Sequence, residues 1–222
     1  MSKKNSDLPV RVASAAVMLA VAGTALWLGG WVWGLFVGAV GIGVAWEWSR
    51  LFLKFASLPL ERLAWSLGGI IYISTAAAVL IGLNLDFMSK LALVALLASV
   101  IATDVGAYFA GRAIGGPKIA PAISPSKTWA GLGGGMLGAS AALWLLLVEG
   151  LNFSWTAALL GIPIAIVAQA GDFFESWIKR RAGVKDSSSL IPGHGGLFDR
   201  VDGLLAVSFV LGICGLFLEG FR

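Results

Sequence analysis

The chain has 222 residues, 58% of them hydrophobic and only 13% charged. A water-soluble domain carries about a quarter of its residues as charges, so this composition excludes an ordinary soluble fold. The net charge of +4 and the pI near 9.5 do not point to nucleic acid in so apolar a chain; they point to charges that orient membrane helices or meet anionic lipid and phosphate.

Crossing a bilayer takes about 20 apolar residues, with about 17 tolerated. The first such run is Val12–Leu28, after Lys3, Lys4 and Arg11. A basic start followed by an apolar run also describes a signal peptide, but no small-residue cleavage site stands out, so the run reads as a retained helix. A Gly29-Gly30 turn leads into Trp31–Trp46, which makes the two runs a tight helical hairpin. Leu63–Ile81, Leu91–Ala110, Trp129–Val148, Trp155–Ala170 and Gly203–Leu218 follow. Tryptophans at the ends of these runs (Trp27, Trp31, Trp46, Trp48, Trp129, Trp155) suit the headgroup level. Cys214, the single cysteine, lies in the last run and can form no internal disulfide. The expected fold is an all-α, multi-pass transmembrane helical bundle of about seven spans. It forms one integral-membrane domain over residues 1–222, with an N-terminal hairpin at 12–46 and a catalytic region at 91–218.

Seven spans with a cytoplasmic N-terminus put fourteen of the sixteen Lys and Arg residues on the inner side; only Lys90 and Arg222 fall outside. That bias satisfies the positive-inside rule, whereas six spans would place basic loops outside.

Two inner stretches carry unusual chemistry. Asp104 sits inside an apolar run, where an acid is expensive; either it serves function or it snorkels and pairs for stability. Tyr108 lies four residues on, along the same helical face. Pro117, Pro121 and Pro125 stiffen the following segment, and Ser124, Lys127 and Thr128 immediately precede a helix. Hydroxyls, an ammonium and free backbone N–H groups there could cradle phosphate. Helix capping and a topological lysine explain the same residues, and the GxxxxGK[ST] pattern is absent.

The second stretch runs from Gly171 to Gly203. If Asp172–Arg181 is helical, Asp172, Glu175, Ser176 and Lys179 share one face. Pro192-Gly193-His194-Gly195-Gly196 requires a tight turn, which returns the chain to Asp199, Arg200 and Asp202. Paired carboxylates beside a Lys/Arg cluster suit phosphoryl or nucleotidyl transfer assisted by a hard cation. His194, the only histidine, is either a proton carrier or phosphate contact, or a hydrogen-bonded turn residue.

These residues resemble the phosphatidate cytidylyltransferase (CDP-diacylglycerol synthase) family. Ser176, Lys179, Arg180, Lys185, Asp186, Pro192, His194, Gly195, Gly196, Asp199, Arg200 and Asp202 fit its C-terminal signature with the right spacing. The Gly171-Asp172…Glu175-Ser176 lead-in, the Asp104…Ala107-Tyr108…Gly111 element, the Ser124-Pro125-x-Lys127-Thr128-Trp129 element and the Trp46-Glu47-Trp48 helix end are similar as well. Ala130 departs from the Glu or Gln usual at its position, and the chain is shorter than many members.

The resemblance implies a bacterial cytoplasmic-membrane enzyme with its active site facing the cytoplasm. CTP and phosphatidic acid would give CDP-diacylglycerol and pyrophosphate. It implies Mg²⁺, with room for a second cation, on Asp172, Asp199 and Asp202. Lys185, Asp186 and His194 join these acids as catalytic candidates. Ser124, Lys127, Thr128, Lys179, Arg180, Arg200, Asp104 and Tyr108 are candidates for binding CTP or the phosphatidate phosphate. Nucleic acid is not an expected partner; a homodimer is compatible with so small an enzyme. The competing readings are an ion-coupled transporter and another lipid-phosphate transferase, although the polar groups gather at one face and no inverted repeat is found.

Overall fold

The computed structural model of the chain describes residues 7–219, so Lys3, Lys4 and Arg222 of the charge count lie outside the described residues. Seven long α-helices dominate it. α1 (Asp7–Leu28) and α2 (Gly30–Phe52) form the expected hairpin. Gly29 and Gly30 turn it at φ of 65° and 52°, a backbone that side chains would strain. Lys90 Nζ donates to Trp27 O at 2.9 Å and ties this turn to the start of the fourth helix.

α3 (Pro59–Gly82) begins with Pro59 in its first turn, where the missing N–H costs nothing. α4 (Phe87–Ala113) is capped by Asp86, whose side chain accepts from Ser89 N. Gly115 and Gly116, at φ of 68° and 89°, take the chain out of α4. The segment stiffened by Pro117, Pro121 and Pro125 forms a small antiparallel hairpin of β1 (Lys118–Ala120) and β2 (Ser124–Thr128), with Lys118 opposite Thr128. Three prolines within nine residues forbid a helix there, but leave enough extended backbone for one short ladder.

α5 (Trp129–Leu143) continues through a π-helical stretch to Glu149. A 3-10 turn over Trp155–Leu160 leads into α6 (Gly161–Arg181). α6 runs well past the apolar run that announced it, so Asp172 to Arg181 is helical. α7 (Phe198–Glu219) closes the bundle and contains the seventh expected span. By length and composition, the six helical segments before α7 can cross a membrane. The chain is an all-α multi-pass membrane protein.

Two apolar clusters hold the helices together. One joins α2, α3, α6 and α7 through Val44, Trp48, Leu51, Ile73, Ala76, Ile178, Phe198 and Leu205. The other joins α2, α3, α4, α6 and α7 through Trp33, Val37, Leu80, Leu93, Leu96, Ala168 and Val207. The closest pair is α4 with α5. A Cβ on Gly134 would overlap Ala110 Cβ and the Gly106 carbonyl, and a Cβ on Gly106 would overlap the Gly134 carbonyl. Small residues permit this approach, and in lipid such packing takes the place of the hydrophobic effect.

Candidate active site

The polar face of α6 is the axis of the site. Ser176 Oγ donates to Asp172 Oδ1 at 3.3 Å one turn away. One turn further, Lys179 Nζ pairs with Glu175 at 2.5 Å and with Asp199 Oδ1, at the start of α7, at 2.6 Å. Carboxylate oxygens of Asp172, Glu175 and Asp202 all lie within 4.8 Å of one another. Three acids this close repel unless a cation or a proton lies among them. Lys127 pairs with Asp172. Asp202 has no ion pair among the described residues; its Oδ1 accepts only from Gly203 N, at 2.8 Å. Glu175 is 1% exposed, and its Oε1 is buried with no hydrogen-bond partner. An unpartnered buried carboxylate oxygen beside two further acids fits an all-oxygen site for a hard divalent cation.

This set differs from the one expected. Asp199 faces Lys179 and the glycine-rich loop instead: its Oδ2 accepts from Ser187 N at 3.0 Å, Ser187 Oγ at 3.0 Å and Gly196 N at 2.7 Å. Both oxygens of Asp199 are therefore engaged, and Glu175 occupies the third corner of the acidic cluster.

Beside the cluster opens a cavity of about 410 Å³ lined by Asp104, Tyr108, Arg112, Ser126, Lys127, Thr128, Gln169 and Asp172. Its volume is that of a small-ligand site. Asp104 lines this cavity, so the acid placed within an apolar run faces a polar recess of the bundle. Tyr108 Oη accepts from Arg112 at 2.8 Å. Thr128 caps α5, accepting from Gly131 N at 3.0 Å, and thereby fixes Lys127 at the cavity wall. Ser124 lies further back, at the turn of the β-hairpin opposite Ala120, and Ser126 reaches the cavity in its place. Arg180 Nε reaches Ile123 O at 3.4 Å, which links the end of α6 to that turn. Lys185, Asp186 and Arg200 are exposed and make no side-chain hydrogen bond or ion pair among the described residues.

The loop between α6 and α7 is held by Glu47, whose place in Trp46-Glu47-Trp48 implied no role. Glu47 is fully buried on α2. Its Oε1 accepts from Ser188 Oγ at 2.6 Å and Leu197 N at 2.9 Å, and its Oε2 from Phe198 N at 2.7 Å and, at 3.0 Å, from Ser187 Oγ, whose single proton it shares with Asp199 Oδ2. A lone acid in a long apolar helix was the available signal. Gly193 and Gly195 adopt φ of 76° and 83° in the turn. His194 Nδ1 lies 2.9 Å from Ser14 Oγ, and Ser14 Oγ is also 3.0 Å from Pro192 O. His194 thus docks the loop on α1 and does not line the Lys127 cavity.

Residues 52–217 match the profile of the Cytidylyltransferase family. Among curated relatives, the phosphatidate cytidylyltransferase of Brucella suis biovar 1 is 34% identical over 95% of this chain and 94% of its own. That of Rickettsia bellii is 32% identical over 97% and 94%, and that of Pseudomonas aeruginosa is 32% identical over 90% and 93%. The Brucella alignment spans 253 positions, so gaps open in this shorter chain. The profile covers α3 to α7 and every acidic and basic residue of the cluster and cavity, and the chain belongs to the cytidylyltransferase family.

Proposed function

We propose that the chain condenses CTP with phosphatidic acid, giving CDP-diacylglycerol and pyrophosphate. The observation that carries this reading is the Asp172–Glu175–Asp202 cluster, with its unpartnered Glu175 oxygen, opening beside a cavity walled by Lys127. The inner-side bias of Lys and Arg and the bacterial relatives support a site at the cytoplasmic face of a bacterial inner membrane, with the N-terminus inside and catalysis centred on residues 91–218.

A phosphate oxygen of phosphatidate attacks the α-phosphorus of CTP. The new P–O bond forms as the bond from that phosphorus to the β-phosphate oxygen breaks, and the electron pair leaves with pyrophosphate. The nucleophile is already an anion, so no base need remove a proton, and catalysis consists of positioning and charge neutralisation. Asp172, Glu175 and Asp202 are the residues that would hold Mg²⁺. A bound Mg²⁺ supplies positive charge to the phosphate oxygens. Lys127 and Arg112 face the triphosphate in the cavity, and Thr128 and Ser126 offer hydroxyls to it. Lys179, clamped between Glu175 and Asp199, fixes the Glu175 carboxylate. Asp199 is in this reading a positioning residue, acting through Lys179 and the loop. Lys185, Arg180 and Arg200 present exposed charge to incoming nucleotide and anionic lipid.

Purified protein in detergent, given labelled CTP and phosphatidate, should form CDP-diacylglycerol and pyrophosphate in equal amounts, and only with a divalent cation. Asp172→Asn should abolish turnover while leaving the melting temperature near that of the wild type. Product formation without any divalent cation, or near-normal turnover by Asp172→Asn, would overturn the assignment.

A further inference from the structure

The Lys127 cavity is divided by charge. Arg112, Ser126, Lys127 and Thr128 line the end where α4 finishes and α5 begins. Asp104 and Gln169 line the other end. Asp104 precedes Arg112 on α4 by about 12 Å of helix, and Gln169 lies one turn before Asp172 on α6. Gly135 of α5 fixes their common level. A Cβ built on it would come within 3.1 Å of Thr103 O and 3.3 Å of Gln169 Nε2, so the residue beside Asp104 and the Gln169 amide flank the same glycine.

The two ends suit different chemistry. Cations and hydroxyls gather phosphate oxygens. A carboxylate repels them, and an amide offers a donor and an acceptor without charge. Gln169 is only 5% exposed, yet it lines the cavity and makes no side-chain hydrogen bond among the described residues. Asp104 likewise has no hydrogen bond or ion pair there. A carboxamide so deeply buried is costly unless a ligand completes its bonding. Taking an uncharged group into this deep end costs far less than taking a phosphate. The group that fits is a neutral ring with an exocyclic amine beside a ring acceptor: the amine donates to the carboxylate, and the ring atom accepts from the amide. Cytosine has that edge, and carboxylate recognition of its amine is a standard pairing.

We propose that Asp104 and Gln169 read the base of CTP, the Asp104 carboxylate accepting from the cytosine 4-amino group and the Gln169 amide donating to the ring nitrogen N3. The proposal rests on the cytidylyltransferase reading above. It orders the nucleotide in the cavity: base at the Asp104 end, α-phosphate beside Asp172, leaving pyrophosphate toward Arg112. Uracil carries a carbonyl oxygen in place of the amine and an N–H in place of the ring acceptor. Its oxygen would face the Asp104 carboxylate, lone pair against lone pair, so the same two residues that accept cytosine exclude uracil.

Pyrimidin-2-one riboside triphosphate, which is CTP without the 4-amino group, provides the test. With phosphatidate and a divalent cation, the wild type should show a kcat/KM for CTP about 10–100-fold above that for the analogue, the worth of one hydrogen bond to a charged group. Asp104→Ala should lose about that factor on CTP and far less on the analogue, bringing the two substrates within about threefold of each other. Gln169→Met should narrow in the same way the preference for CTP over 3-deazacytidine triphosphate, which lacks the ring acceptor. Asp104→Ala removes an acid from an apolar helix and installs the best helix former, so this arm stands even where Gln169→Met fails to fold. Equal losses by Asp104→Ala on CTP and on the analogue, the pattern of a lost phosphate or cation contact, would overturn the base assignment. So would a wild type indifferent to the amine. A wild-type protein that converts no CTP at all would instead sink the underlying reading.

Discussion

Replacing Glu47 by Gln changes one functional group in the centre of the bundle and should unsettle the whole loop between α6 and α7. The carboxylate accepts four hydrogen bonds from Ser187, Ser188, Leu197 and Phe198. An amide keeps one accepting oxygen and turns an NH₂ group toward the other pair of donors. The serine hydroxyl of that pair can rotate and accept; the backbone N–H of Leu197 or Phe198 cannot. One charge-assisted hydrogen bond is lost, worth about 1.5–3 kcal/mol, and one buried N–H is left unsatisfied at about 1–3 kcal/mol. A net cost of about 3 kcal/mol corresponds to a melting temperature lower by roughly 6–12 °C for a chain of this length. Activity should fall too, because Gly196 N and Ser187, which orient Asp199, belong to the same loop. Thermal unfolding in a fixed detergent, followed with turnover of the same preparation, reads both effects. A variant that melts within about 2 °C of the wild type and turns over normally would refute the clamp.

Lys127→Ala should lower kcat/KM by roughly 100-fold or more and raise KM for CTP, the effect of removing one preorganised charge from a transition state; a steady-state CTP titration decides it. Gly134→Ala should cost about 1–3 kcal/mol, because its methyl would overlap Ala110 and the Gly106 carbonyl. The neighbouring Gly133→Ala, whose Cβ meets nothing within 4 Å, should be neutral or stabilising in the same melting assay.

Much of this architecture is legible in the residue order. Apolar runs marked the helices, and the four-residue spacings of Asp172 with Ser176 and of Glu175 with Lys179 anticipated the contacts seen on α6. The helices extend beyond their runs because polar ends still satisfy backbone hydrogen bonds by continuing the helix; α6 therefore reaches Arg181. The β-hairpin was hidden because prolines forbid helix without announcing a partner strand. The choice of cluster was harder still. Asp199 and Glu175 are equally plausible ligands in a list of acids; only the fold gives Asp199 three donors from the loop and leaves one Glu175 oxygen bare. Glu47 meets its partners across 140 to 151 residues of chain, a pairing that no local pattern encodes.

The central claim is that Asp172, Glu175 and Asp202 form the cation site. Binding of Mn²⁺ to the purified protein, measured by electron paramagnetic resonance in the absence of nucleotide, tests it most directly. The wild type should bind; Asp172→Asn, Glu175→Gln and Asp202→Asn should each lose most of that affinity; Asp199→Asn, once shown to be folded, should retain it. Wild-type binding by Glu175→Gln, together with its loss in a folded Asp199→Asn, would contradict the account and return the metal to Asp199.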